Sequence, residues 1–84
     1  MNQETNLAGM EKGHTGIVST ILGGRRFRMK LESLGIRPGS KVTKISNLFT
    51  RGPIVLYVGG TEVAIGYKMA MKIIINVPIA EKST

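Results

Sequence analysis

Hydrophobic residues fall along this chain in short alternating runs broken by glycine and proline, the pattern of strands rather than of long helices. A first strand is predicted over 16–22, with Ile17, Ser19 and Ile21 on one face and Val18 and Thr20 on the other. Gly23-Gly24 ends it. The period then changes: Phe27, Leu31 and Leu34 stand at i, i+4 and i+7, one face of a helix destined for the core. Arg25, Arg26, Arg28 and Lys30 occupy most of the other positions. Gly35 follows where a helix C-terminus needs a left-handed residue. In Arg37-Pro38-Gly39-Ser40, proline fixes φ and glycine accepts φ > 0, the requirements of a type II turn.

A strand over 41–46 carries Val42 and Ile45 on opposite faces, which calls for a bulge or a two-sided strand. The loop over 47–53 holds Phe49 and Arg51. Strands over 54–58 and 61–65 flank Gly59-Gly60, a two-residue hairpin loop of the primed type whose twist matches the strands. Residues 67–72 can make a turn or two of helix. Three consecutive isoleucines then open a strand over 73–77, buried from both sides or sealing a barrel against the first strand. The polar, aperiodic ends, 1–6 and 80–84, are expected to be disordered tails around one domain at 7–79. The predicted class is mainly β, a small SH3-like barrel of five to six strands with a helix inserted after the first.

Composition narrows the function. Twelve Lys and Arg against five Glu give a net charge of +7, which favours nucleic acid, anionic headgroups or an acidic protein face. The chain has no Cys, so disulfides and thiolate metal sites are excluded. No run reaches the length of a membrane span and no signal peptide is evident, so a cytoplasmic location is expected.

Catalytic groups are scarce. His14 is the only histidine, Glu11 is its only nearby carboxylate, and the remaining glutamates are scattered with no Asp among them. That set supports neither a metal site nor acid/base catalysis, and Ser and Thr lack a histidine base at a suggestive spacing. Gly23-Gly24-Arg25-Arg26 lacks the P-loop pattern; it precedes a helix and could hold an anion, but turn formation accounts for its glycines. Nucleic acid is the serious competitor. The basic helix, with Lys41 and Lys44 beyond it, could track phosphates, although Phe27, Phe49, Tyr57 and Tyr67 are the only aromatics available for stacking.

With these elements placed, the chain resembles the FeoA family of small proteins associated with ferrous iron uptake. The most specific piece is 30–39, Lys-Leu-Glu-Ser-Leu-Gly-Ile-Arg-Pro-Gly, which is similar to the family's basic-Leu-x-x-Leu-Gly-Ile-x-Pro-Gly signature. Gly13 and Ile17, Gly52-Pro53-Ile54, Gly60 with Ala64-Ile65, and Ala70 with Ile73 support it in order and spacing. Lys44, where the family's strand usually carries an apolar residue, and Gly66-Tyr67, in place of a more basic segment, depart from the pattern.

The resemblance implies an SH3-like barrel, the module also found at the C-terminus of iron-dependent repressors, so a stand-alone regulatory domain acting on such a repressor is an alternative. It implies a stand-alone cytosolic accessory to the ferrous iron permease FeoB, whose cytosolic portion contains a GTPase domain. No enzyme activity, cofactor, metal or small-molecule substrate is expected, and the membrane is met only through the partner. Arg25, Arg26, Arg28 and Lys30 are expected to attract that partner, with Phe49 and Arg51 as anchors. An arginine finger from Arg25 or Arg51 is a bolder version. Phe27, Leu31, Leu34, Gly35, Pro38, Gly39, Gly59 and Gly60 are assigned to structure. A free edge strand could also pair two copies weakly.

Overall fold

The structure, a computed structural model, describes residues 2–47 and 51–78. Six strands and two short helices follow in the order β1 (Asn2–Asn6), β2 (Thr15–Ile21), α1 (Arg25–Ser33), β3 (Lys41–Asn47), β4 (Ile54–Val58), β5 (Thr61–Ile65), α2 (Tyr67–Met71) and β6 (Ile73–Pro78). All strand pairs are antiparallel, in the order β1-β6-β2-β3-β4-β5. The sheet wraps one core to which every element but β1 contributes, including Val18, Leu31, Val42, Leu56, Ile65, Ala70 and Ile75. Leu7 and Met10, just after β1, complete it.

Strand β1 corrects the expectation of a disordered N-terminal tail. Its residues are polar because it lies at the edge of the sheet, where backbone pairing needs no hydrophobic pattern. It pairs with β6 from Asn2↔Pro78 to Asn6↔Ile74. The expected C-terminal tail, 80–84, lies outside the described residues.

Two bulges set the faces. In β2 the register shifts between Val18 and Thr20, so Val18 and Ile21 both point inward and Ile17 is exposed. The simple alternation predicted for this strand, with Ile17 and Ile21 on one face, is therefore wrong. In β3 the shift lies between Lys44 and Ser46. Val42 and Lys44 face the core and Ile45 faces outward, so Val42 and Ile45 stay on opposite faces as on a two-sided strand, and the bulge falls at Ile45 itself.

Helix α1 ends as the sequence predicts. Gly35 has φ of 88°, the Ile36 N–H donates to the Leu31 carbonyl (2.9 Å) and the Gly35 N–H to the Glu32 carbonyl (2.9 Å). These two bonds form a Schellman motif, and its hydrophobic contact falls between the fully buried Leu31 and Ile36. Leu34 is a correction: it is the C-cap and 36% exposed, because the chain reverses at Gly35 and Ile36 takes the core position instead. Gly39 (φ 96°) and the Ser40 N–H bond to the Arg37 carbonyl (2.9 Å) complete the type II turn. Gly59 and Gly60, both at positive φ (59° and 82°), make the primed hairpin turn between β4 and β5.

Candidate docking surfaces

The basic residues of α1 form one outward surface. Phe27 and Leu31 face the barrel, so Arg25, Arg26, Arg28 and Lys30 are all left exposed, with Met29 among them. The Arg28 guanidinium donates to the Gly23 carbonyl (3.0 Å), which folds that side chain back over the start of the helix. Lys72 adds a cation nearby, its Nζ lying 5.3 Å from the centre of the half-buried Phe27 ring. Among the described residues no Lys or Arg makes an ion pair with a carboxylate. The one imidazole–carboxylate contact among the described residues is His14 Nε2 with Glu11 Oε2 at 3.7 Å, both exposed.

Lys44 does not belong to this surface, contrary to its inclusion among the phosphate-tracking cations. Only 2% of it is exposed. Its Nζ donates to the Ala8 carbonyl (2.9 Å) and the Met10 carbonyl (2.6 Å), and burial pulls its pKa below the ordinary lysine range. The β3 backbone holds the same loop: the Gly13 N–H donates to the Lys44 carbonyl (2.7 Å), and the Lys44 N–H to that of His14 (3.0 Å). Lys44 thus occupies a core position with a buried stem and a head that ties down the segment after β1. The signal for this role in the sequence is a lysine at an inward-facing strand position.

The other predicted site residues separate. Arg51 is exposed, with φ of 61°, the one non-glycine residue at positive φ among those described. It lies far from α1 in sequence and lines a groove of about 610 Å³ with Gly66, Tyr67, Lys68 and Met71. Lys68, Tyr67 and Met71 were not singled out by their spacing. They join Arg51 because α2 begins directly after β5, whose last residue, Ile65, pairs with Ile54. Phe49 lies outside the described residues. Tyr57 stands exposed on the outer face of β4, as the sequence allowed, beside Lys41 and the bonded Thr15–Thr43 hydroxyl pair (2.7 Å). Among the described residues no three metal-ligating side chains of His, Cys, Asp or Glu come together, and no helix is long and apolar enough to cross a membrane.

Residues 5–77 match the model of the FeoA domain. A protein of Methanocaldococcus jannaschii named "Putative Fe(2+) transport protein A" is 38% identical over 70 residues, covering 83% of each chain. A crystal structure of an iron uptake regulatory protein, FeoA, superposes with a TM-score of 0.82 at 36% identity, over 90% of this chain and 99% of that one. The FeoA of Stenotrophomonas maltophilia, solved with zinc and described as a prokaryotic SH3 domain protein, superposes with a TM-score of 0.71 at 19% identity, over 84% of this chain and 88% of that one. That likeness bears on the fold, and it agrees with the SH3-like barrel expected from the strand pattern.

Proposed function

The chain belongs to the FeoA domain family, and from that premise we propose that it is a non-enzymatic accessory of ferrous iron uptake that docks onto the cytosolic, GTPase-containing part of an FeoB-like permease. The observation that carries this reading is the unpaired cationic face of α1. Arg25, Arg26, Arg28 and Lys30 are exposed together, and none is neutralised by a carboxylate among the described residues. Charges arranged in this way gain little for the isolated fold. They steer an anionic partner and fix its orientation, which raises association rates more than it deepens affinity.

The test is a titration of the labelled protein with the isolated GTPase domain of such a permease. Saturable binding is expected, weakening as salt rises, with association slowed about tenfold or more in the Arg25→Glu/Arg26→Glu variant. Absence of binding at low salt overturns the reading. GTP turnover measured in the same mixtures decides the arginine-finger version, which an unchanged rate removes. Random oligonucleotides are the control for a phosphate-tracking surface. With Lys44 buried, that surface has Tyr57 as its one exposed aromatic among the described residues, and weak binding is expected.

A further inference from the structure

We propose that the groove between Arg51 and α2 is a second docking site, which takes an acidic peptide segment carrying an apolar side chain. This rests on the reading that the protein works by docking onto a partner, and it names a surface distinct from α1. The groove combines two kinds of lining. Met71 is 46% exposed, and Tyr67 packs against the core while presenting its remaining surface to the groove. Arg51 and Lys68 supply the polar part.

Neither cation makes an ion pair with a carboxylate among the described residues. Gly66 contributes no side chain, so an incoming chain can approach the backbone there; a Cβ at this position would meet nothing closer than Met69 Sδ at 3.9 Å. The volume, about 610 Å³, is that of a site for one or two side chains rather than for a folded domain.

Charge decides the occupant. A second copy of this chain would bring its own +7 against two more cations, so self-docking is opposed. A basic or phosphate-tracking partner is excluded or indifferent to Met71. An acidic segment satisfies Arg51 and Lys68 while its apolar side chain covers Met71 and Tyr67. Methionine suits this role, because its flexible thioether adapts to varied side chains. Arg51 is suited by geometry: its left-handed backbone is an unfavourable conformation for arginine, and glycine would adopt it freely. Despite that backbone, the Arg51 side chain stands exposed at the groove, where an incoming carboxylate can meet it.

The experiment uses the full chain, isotope-labelled, and a fluorescein-labelled dodecapeptide of alternating glutamate and leucine. Binding by fluorescence anisotropy is expected, with amide shift changes centred on Arg51, Gly66, Lys68 and Met71. Lys68→Glu, Met71→Ala and Arg51→Gly are each expected to weaken the peptide about fivefold or more, since each is exposed and Arg51→Gly relieves backbone strain. Replacing the leucines by serine should abolish binding. Shift changes centred on 25–30, binding indifferent to leucine, or no binding at millimolar peptide overturns the proposal. So does self-association, by sedimentation, that Met71→Ala abolishes. The isolated GTPase domain separates the two readings. If it binds wild type and Met71→Ala equally, docking stands and the groove is refuted; if it does not bind while the peptide does, the groove stands and the permease reading fails.

Discussion

At the scale of single residues, Lys44 is the one buried charged side chain among the described residues. Its ammonium is buried with no counter-ion among the described residues and is solvated by two carbonyls of the segment that follows β1. Because burial lowers its pKa, the unfolded chain holds this proton more tightly than the folded one between the folded pKa and the ordinary value of 10.5. Stability contributed at this position therefore rises with pH through that window and levels off above it. Denaturant titrations of wild type and Lys44→Met should show a stability difference shifting in favour of wild type as pH approaches that value. Lys44→Ala, which removes the stem and leaves both carbonyls without their donor, should cost about 2–5 kcal/mol at neutral pH.

Two glycines give a contrast in mechanism. Gly35→Ala places a Cβ with nothing closer than Val58 Cγ2 at 3.9 Å, so its expected cost of about 1–2 kcal/mol is conformational. Gly16→Ala has an ordinary backbone but would drive its Cβ into the Ile75 side chain and the Asn76 carbonyl of β6. A carbonyl in a strand cannot move aside, so about 3 kcal/mol or more is expected. Thermal melts of the pair should rank them in that order.

At the scale of elements, α1 was the most legible and its start the most unusual. The spacing of Phe27 and Leu31 and the glycine at 35 sufficed to place it, because helix periodicity and a left-handed cap are local properties. Its first turn, however, carries Arg25 and Arg26, no acid, and a Gly24 N-cap that makes no side-chain bond. Those charges oppose the helix dipole. Gly24 is already in the extended conformation of an N-cap and its Cβ would enter open space. Gly24→Asp should therefore stabilise the protein by about 0.5–1 kcal/mol in denaturant titrations. The β4–β5 hairpin was equally legible, since Gly59-Gly60 defines both its turn and its register. Strand β1 was not, because an edge strand is held by backbone bonds that leave no mark on side-chain pattern. The bulge in β2 escaped for a related reason: it depends on how β6 meets Val18 and Thr20, a non-local fact.

At the scale of the whole molecule, the sequence conveyed the sign of the charge and only part of its placement. Composition implied an anionic partner, and the helix period correctly turned four basic residues outward. Lys44 then proved to be internal, while Lys68 joined Arg51 across the sheet end from a segment that reads as an ordinary helical turn. Two cationic regions result, one on α1 and one beside α2. Variants at Arg25 and Arg26 test the first, and variants at Lys68 and Met71 test the second.

The pairing of β1 with β6 has one further consequence. Asn2 lies opposite Pro78, so the chain's first and last described strands run side by side and the polypeptide closes on itself. Such a module has no topological need of its own starting point. A circular permutant, with a short glycine-serine linker joining the present ends and new termini opened between Gly59 and Gly60, would keep every strand pairing of the sheet. It should fold to the same spectrum of backbone amide shifts outside 57–62, with some loss of melting temperature from the untied hairpin. Failure to fold would mean that the β4–β5 turn directs assembly of the barrel as well as completing it.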